Sequence, residues 1–286
     1  NEDDDKLEES IAELLEQGKH ARVHVSHLKS VYGKGAKRAE EILQILNSAR
    51  SKGVRVSADT YPYLASYAGI DLLFPVWAKT AEQFAVAKVE RRQELEEYLR
   101  KRIQRRNGPE ATLLGTDPYT GKTLASLSQE LKMPFEKVLI DVIGPQGAAG
   151  AYFIMDEQLQ SRILEDPLVG MSSDGRPEGF HPRGHGTFAR LIEKYVIRKR
   201  LLPVEEAVRK ATSLAAKILG IEDRGVLRKD MHADLLIFDP AKVHETATYP
   251  APLQLAAGFD IVIVNGQVVR EDEHANGALP GQVLKP

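Results

Sequence analysis

The sequence contains no cysteine. Disulfides, a thiol nucleophile and thiolate metal ligands are therefore excluded together. It also lacks any apolar run of about 18 residues, so no membrane-spanning helix and no membrane partner are expected. Neither sign of charge dominates: 39 Lys and Arg stand against 41 Asp and Glu, a net charge of −2. Such a chain has no global electrostatic attraction for nucleic acid, and none is expected as a partner. The start, Asn1 to Lys6, is a charged run where a signal peptide would be basic and then apolar. Nothing argues for secretion, and a cytoplasmic location is expected. The first residue is not Met, so the expectation is a chain processed or cut out of something longer.

What is present suffices for a packed core. The chain has 286 residues, 42% hydrophobic and 28% charged, enough for one large or two ordinary domains. Leu7, Ile11, Leu14 and Leu15 fall at helical spacing and predict a helix over 6–18, capped by Gly18. A strand over 21–26, a helix over 36–51 closed by Gly53, and a strand over 54–58 follow. This alternation argues for parallel βα units. Residues 82–106 read as one long charged helix with a solvated face, and 123–144 as two short helices broken at Pro134. Strands over 152–155 and 168–171 flank a short helix. A loop over 172–186 then leads into a helix carrying Phe188, Leu191, Ile192, Tyr195 and Val196, and a last helix spans 203–218. Past Gly220 the texture turns to strand, over 233–238 and 261–269, with Asn265-Gly266 as a two-residue hairpin turn. The division is an α/β body over 1–218 and a β-rich segment over 219–286.

Polar residues gather at the C-terminal ends of the predicted parallel strands, where ligands bind in such architectures. His27 and Lys29 leave the first strand together. A neutral imidazole there can bind a metal, or His27 can be a capped surface histidine. Tyr61 and Tyr63 follow the next strand, placed either to hydrogen-bond a ligand or to pack beneath a loop. Asp174, in Ser172-Ser173-Asp174-Gly175, suits a general base or metal ligand, though the same string makes an ordinary turn. The loop that follows holds His181, Arg183 and His185. Arg183 can hold a carboxylate bidentately, and the two histidines read as loop hydrogen-bonders. The remaining histidines, His24 among them, lack metal spacing and read as structural.

The strings S-H-L-K at 26–29, A-D-T-Y-P-Y-L-A-S at 58–66, S-S-D-G at 172–175 and H-P-R-G-H-G-T-F-A-R at 181–190 occur in this order. R-G-V-L at 224–227, A-D-L-L-I-F-D at 233–239, A-T-Y at 247–249 and V-N-G at 264–266 follow. None is specific alone. Together they closely resemble the N-acyl-D-amino-acid deacylases (D-aminoacylases) of the amidohydrolase superfamily, over nearly the whole chain. The resemblance implies an α/β fold: the C-terminal part of a (β/α)8 amidohydrolase barrel, with an inserted helical segment at about 80–150, followed by a small β-sandwich segment. It implies His27 as a metal ligand, Asp174 as the catalytic acid/base, and Lys29, Tyr61 and Arg183 as holders of the substrate carboxylate. The implied cofactor is Zn²⁺, one or two ions, lowering the pKa of a bound water to about 7. The implied substrate is a small N-acyl amino acid. Two positions depart from the pattern: Tyr67 stands where a small hydroxyl residue is frequent, and Asp230 where a glycine is usual. The family's His-x-His pair, metal-bridging residue and further strand-end His all lie upstream of S-H-L-K. The expectation is therefore a C-terminal portion with the last three barrel strands and its remaining metal ligands before Asn1. The runner-up is a ring-opening cyclic amidohydrolase of the dihydroorotase or hydantoinase kind, disfavoured by the H-P-R-x-x-G-T-F and Y-P-Y strings. A third reading is a non-catalytic amidohydrolase-like scaffold, against which the retained His27, Asp174 and Arg183 argue.

Overall fold

The computed structural model describes residues 5–284. Among these, ten strands form three sheets: β1 (Val23–Val25), β2 (Val56–Thr60), β3 (Ala65–Gly69), β4 (Thr112–Leu114), β5 (Ala149–Phe153), β6 (Val169–Met171), β7 (Leu235–Phe238), β8 (Phe259–Val264), β9 (Gln267–Glu271) and β10 (His274–Ala275). The chain divides into two compact units.

The first unit comprises Ser30–Lys34 and Tyr63–Glu157, with a short stretch that ends at Leu7. Its sheet is antiparallel, in the order β3-β5-β4. Ile70, Leu73, Leu95, Leu99 and Ile103 are fully buried and form the middle of its core. The long helix predicted over 82–106 is instead two helices, Ala81–Glu90 and Arg92–Arg105, broken at Arg91. The first is capped at Thr80, whose hydroxyl and backbone amide exchange hydrogen bonds with Gln83.

The second unit comprises Glu8–Lys29, Gly35–Pro62 and the chain from Gln158 onward. Its centre is a parallel sheet in the order β1-β2-β6, flanked in sequence by the helices Leu7–Gln17, Gly35–Ser51 and Glu157–Glu165. The expected βα alternation is thus present. These strands are three in number and do not close into a barrel among the described residues. β2 runs two residues later than the predicted 54–58, so Asp59 lies within the strand. Pairing sets His24 opposite Ser57 and Asp59 opposite Gly170. Because side chains alternate along a strand, His24, Ser57 and Asp59 share one face while Val56, Ala58 and Thr60 share the other and are buried. Parallel sheets ordinarily carry apolar residues on both faces; this one is polar on one.

Two further expectations are corrected. The stretch read as a loop up to residue 186 becomes helical at Arg183, and that helix, Arg183–Arg190, continues in wider π-helical turns over Leu191–Arg198. Pro182 precedes its first residue, where a ring locked at helical φ starts a helix well. The helix predicted over 203–218 is two, Val204–Ala211 and Ser213–Leu219, parted at Thr212.

The C-terminal strands form an antiparallel sheet in the order β10-β9-β8-β7. Asn265 and Gly266 both have left-handed backbone, φ 49° and 77°, which is the turn that a two-residue β8–β9 hairpin requires. Three of the sequence strings meet here. Arg224 pairs with Asp234 and donates to Asn265 Oδ1 at 2.6 Å, and Asn265 N donates to Asp234 Oδ1 at 2.8 Å. Asp230 has φ 68°. That conformation is one that glycine adopts without strain.

Candidate active site

Five residues singled out from the sequence lie in the second unit and are linked in a chain. Lys29 Nζ is 3.2 Å from His27 Nδ1. The guanidinium carbon of Arg183 lies 4.8 Å from the centre of the Tyr61 ring, and Arg183 Nη1 is 2.8 Å from Asp174 Oδ2. Tyr61 is fully buried, while Lys29 and Arg183 expose only 8% and 6% of their surfaces. Burial pushes the Tyr61 phenol up, with Asp174 adding to the effect and the Lys29 and Arg183 cations opposing it. Tyr61 is therefore a neutral hydrogen-bond donor throughout the physiological range.

The strand ends explain the clustering. His27 follows β1, Tyr61 follows β2 and Asp174 follows β6, so parallel pairing delivers all three to one edge. His27 and Asp174 both have left-handed backbone, at φ 44° and 47°. This conformation is uncommon for residues with a side chain and collects at functional sites. Between Asp174 and Arg183 the loop closes tightly on glycine. A Cβ on Gly175 would lie 2.4 Å from Gly184 Cα, and one on Gly184 would lie 2.8 Å from Arg176 O.

Other residues support these. His181 is buried; its Nδ1 accepts from the Arg183 amide at 3.0 Å, and its ring meets Tyr249 edge-on at 5.0 Å. The expectation that it serves as a loop hydrogen-bonder agrees with this. Gln160, fully buried on the helix Glu157–Glu165, donates to Thr60 Oγ1 at 2.8 Å and to the Tyr61 carbonyl at 2.7 Å. Arg190 donates to the Pro62 carbonyl at 2.7 Å and pairs with Glu245 at 2.6 Å.

Sequence reasoning missed Asp59 and the links it makes to His24 and Ser172. One carboxylate oxygen, Oδ1, accepts from the His27 amide at 2.7 Å and from Ser172 Oγ at 2.8 Å. The other, Oδ2, lies 2.7 Å from His24 Nε2, and His24 Nδ1 lies 2.8 Å from Ser57 Oγ. Burial opposes ionisation of Asp59, but the bonds from His24, the His27 amide and Ser172 outweigh it and hold the carboxyl below its usual range. The available signal was the alternation of Ser57 and Asp59 with Val56 and Ala58 along one strand.

A zinc site takes at least three protein donors. Among the described residues no group of three or more His, Asp or Glu side chains gathers to hold a metal, and the Asp174 carboxylate is engaged by Arg183. The residues present do not by themselves make a zinc site. No helix among them is long and apolar enough to cross a membrane.

The N-acyl-D-aspartate deacylase of Alcaligenes xylosoxydans xylosoxydans is 41% identical over 174 residues, covering 60% of this chain and 34% of that protein. The N-acyl-D-glutamate deacylase of the same organism is 29% identical over 288 residues, covering 98% of this chain and 52% of the relative. A crystal structure of the N-acyl-D-glutamate deacylase from Bordetella bronchiseptica, complexed with zinc and a phosphonate mimic of the tetrahedral intermediate, superposes with a TM-score of 0.78 at 29% identity, over 99% of this chain and 54% of that one. The chain thus spans about a third to a half of the length of these relatives. A model of the amidohydrolase family matches residues 124–270, more than half of the chain and including Asp174 and Arg183; the chain belongs to the amidohydrolase family.

Proposed function

We propose that this chain is part of a metal-dependent hydrolase that cleaves the amide bond of N-acyl-D-amino acids, releasing a carboxylate and a free D-amino acid. The observation that carries the reading is the cluster of Lys29, Tyr61 and Arg183 beside Asp174. Two buried cations and a neutral phenol form a receptor for one carboxylate, since charge-assisted bonds are about twice as strong as neutral ones. Holding the carboxylate at several points fixes the α-carbon and so selects one hand of substrate. Asp174 takes a proton from the attacking water and returns it to the leaving amine nitrogen, the ordinary work of a general base and acid. The deacylase relatives, one of them seen with zinc and an intermediate mimic, support the same reading.

The cofactor in this reading is zinc, one or two ions, with His27 as one ligand and further donors from outside the described residues. The parallel sheet β1-β2-β6 is read as part of a (β/α)8 barrel over 1–218, interrupted by the segment at about 80–150. The sheet within 219–286 is read as part of a small β-sandwich. The protein acts in the cytoplasm on a small-molecule substrate. The test is to assay the full-length protein that carries this chain on N-acetyl-D-amino acids, their L enantiomers and dihydroorotate, with metal content measured in parallel. Turnover of the D substrates alone is expected. Turnover of dihydroorotate alone identifies a cyclic amidohydrolase, and no metal with no turnover identifies a scaffold.

A further inference from the structure

The polar face of the parallel sheet holds a residue to which the reading above gives no task. Asp59 sits in the middle strand, and its carboxylate reaches both neighbours. On the β1 side it accepts from the His27 amide and meets the His24 ring, each at 2.7 Å. On the β6 side it accepts from Ser172 Oγ at 2.8 Å, two residues before Asp174. The backbone of His27 is left-handed, φ 44°, so something must hold it there. The same turn is fixed from the other side of the strand, where the Leu28 amide donates to the Asp59 carbonyl at 2.7 Å and Thr60 Oγ1 donates to the Leu28 carbonyl at 3.0 Å. Polar networks of this kind specify one geometry when every member is satisfied.

We propose that Asp59 is a positioning residue for the active site: one carboxylate ties the His27 backbone, the His24 ring and the Ser172 hydroxyl together at the ends of three adjacent parallel strands, and thereby sets the turn that presents His27 and Lys29 and the segment that leads to Asp174. The inference rests on the hydrolase reading for its effect on turnover, and on geometry alone for its effect on the turn. Asp59 touches no reacting atom. Its part is to keep two strand-end segments in mutual register.

Two readouts test this on the full-length protein. The first is amide hydrogen exchange at 26–29. Asp59→Ala removes the acceptor of the His27 amide, and exchange there is expected to rise about tenfold, the scale of one hydrogen bond to a charged group, while Val56 and Val169 keep their protection. The second is kinetic. Asp59→Ala is expected to lower kcat by about 10–100-fold, the usual effect of removing a partner that orients an active-site ligand. Asp59→Asn is expected to recover most of both. Its amide oxygen still accepts from His27 and Ser172, and its NH₂ faces His24 in the other tautomer. Ser172→Ala, which removes a single contact, should shift both readouts in the same direction by a few-fold. Unchanged exchange at His27 in Asp59→Ala overturns the proposal. So does a rise spread evenly over the whole sheet, which marks a purely structural residue. If the unsubstituted protein hydrolyses no N-acyl amino acid, the hydrolase reading fails, and the exchange measurement alone decides whether Asp59 holds the turn.

Discussion

Arg183 Nη1 lies 2.8 Å from Asp174 Oδ2, so the guanidinium assigned to the substrate and the carboxylate assigned to proton transfer are partners of each other. A substrate carboxylate that reaches Arg183 must share it with Asp174. Arg183→Ala is expected to raise KM tenfold or more for substrates with a free α-carboxylate, since an unpaired buried charge costs about 1–3 kcal/mol or more. Esterified substrates should be affected far less. An equal loss on both would show that Arg183 does not read the carboxylate.

Asp174→Asn keeps the shape of the side chain and its hydrogen bond to Arg183 but cannot carry a proton between water and amine. The fold should persist by circular dichroism while kcat falls by about 10²–10⁴, the scale of general acid–base catalysis. An unchanged kcat would take Asp174 out of that role.

Gly175→Ala is expected to be damaging out of proportion to its one added methyl. The new Cβ would meet the backbone Cα of Gly184 at 2.4 Å, and backbone cannot swing aside as a flexible side chain can, so the loop must open. Overpacking of this kind costs about 1–3 kcal/mol. The opening separates Asp174 from Arg183, so kcat/KM should drop together with Tm. Gly281→Ala, at a glycine with open space around it and, like Gly175, no left-handed backbone, controls for the added methyl alone.

Lys210 is fully buried and donates to the carbonyls of Asp166 and Val169, the latter at 2.9 Å, beneath the start of β6. Burial brings its pKa down to about 8. An unfolded lysine titrates near 10.4. Between these values the unfolded chain binds the extra proton, so Lys210 makes stability rise with pH across that window. Denaturant midpoints at pH 7.5 and pH 10 should therefore diverge in favour of the native chain over Lys210→Met. A constant difference between the two proteins would mean that Lys210 titrates normally.

The sequence is most readable where one period governs a long stretch. The helices Leu7–Gln17 and Gly35–Ser51 and the hairpin at Asn265-Gly266 stand where periodicity and turn chemistry put them. The helix at Arg183 is less readable because Gly184, His185 and Gly186 are poor helix formers, and tertiary packing of the buried Arg183 and Thr187 decides the matter. Of the sheet β3-β5-β4 only the end of β5 is anticipated, by the strand expected over 152–155; the rest is hard to read because A-S-Y-A-G and A-G-A-Y-F carry no β-branched residue. Lys29, Tyr61 and Asp174 are conspicuous as polar groups just past strand ends, and Arg183 as a cation in the polar stretch that follows Asp174. Asp59 is not, since its partners stand 35 residues before it and 113 after it, and only the parallel register brings them together.

The left-handed turns at His27 and Asp174 carry a further consequence. An ordinary L residue held in that conformation carries a conformational penalty that vanishes on unfolding. Glycine at either position would ease that penalty and discard the side chain. Selection for thermal robustness and selection for turnover therefore pull in opposite directions at these two positions. Random libraries screened only for heat resistance should accumulate glycine or asparagine there and lose catalysis, so an evolved thermostable form needs its gains elsewhere, in segments such as the exposed faces of the charged helices Ala81–Glu90 and Arg92–Arg105.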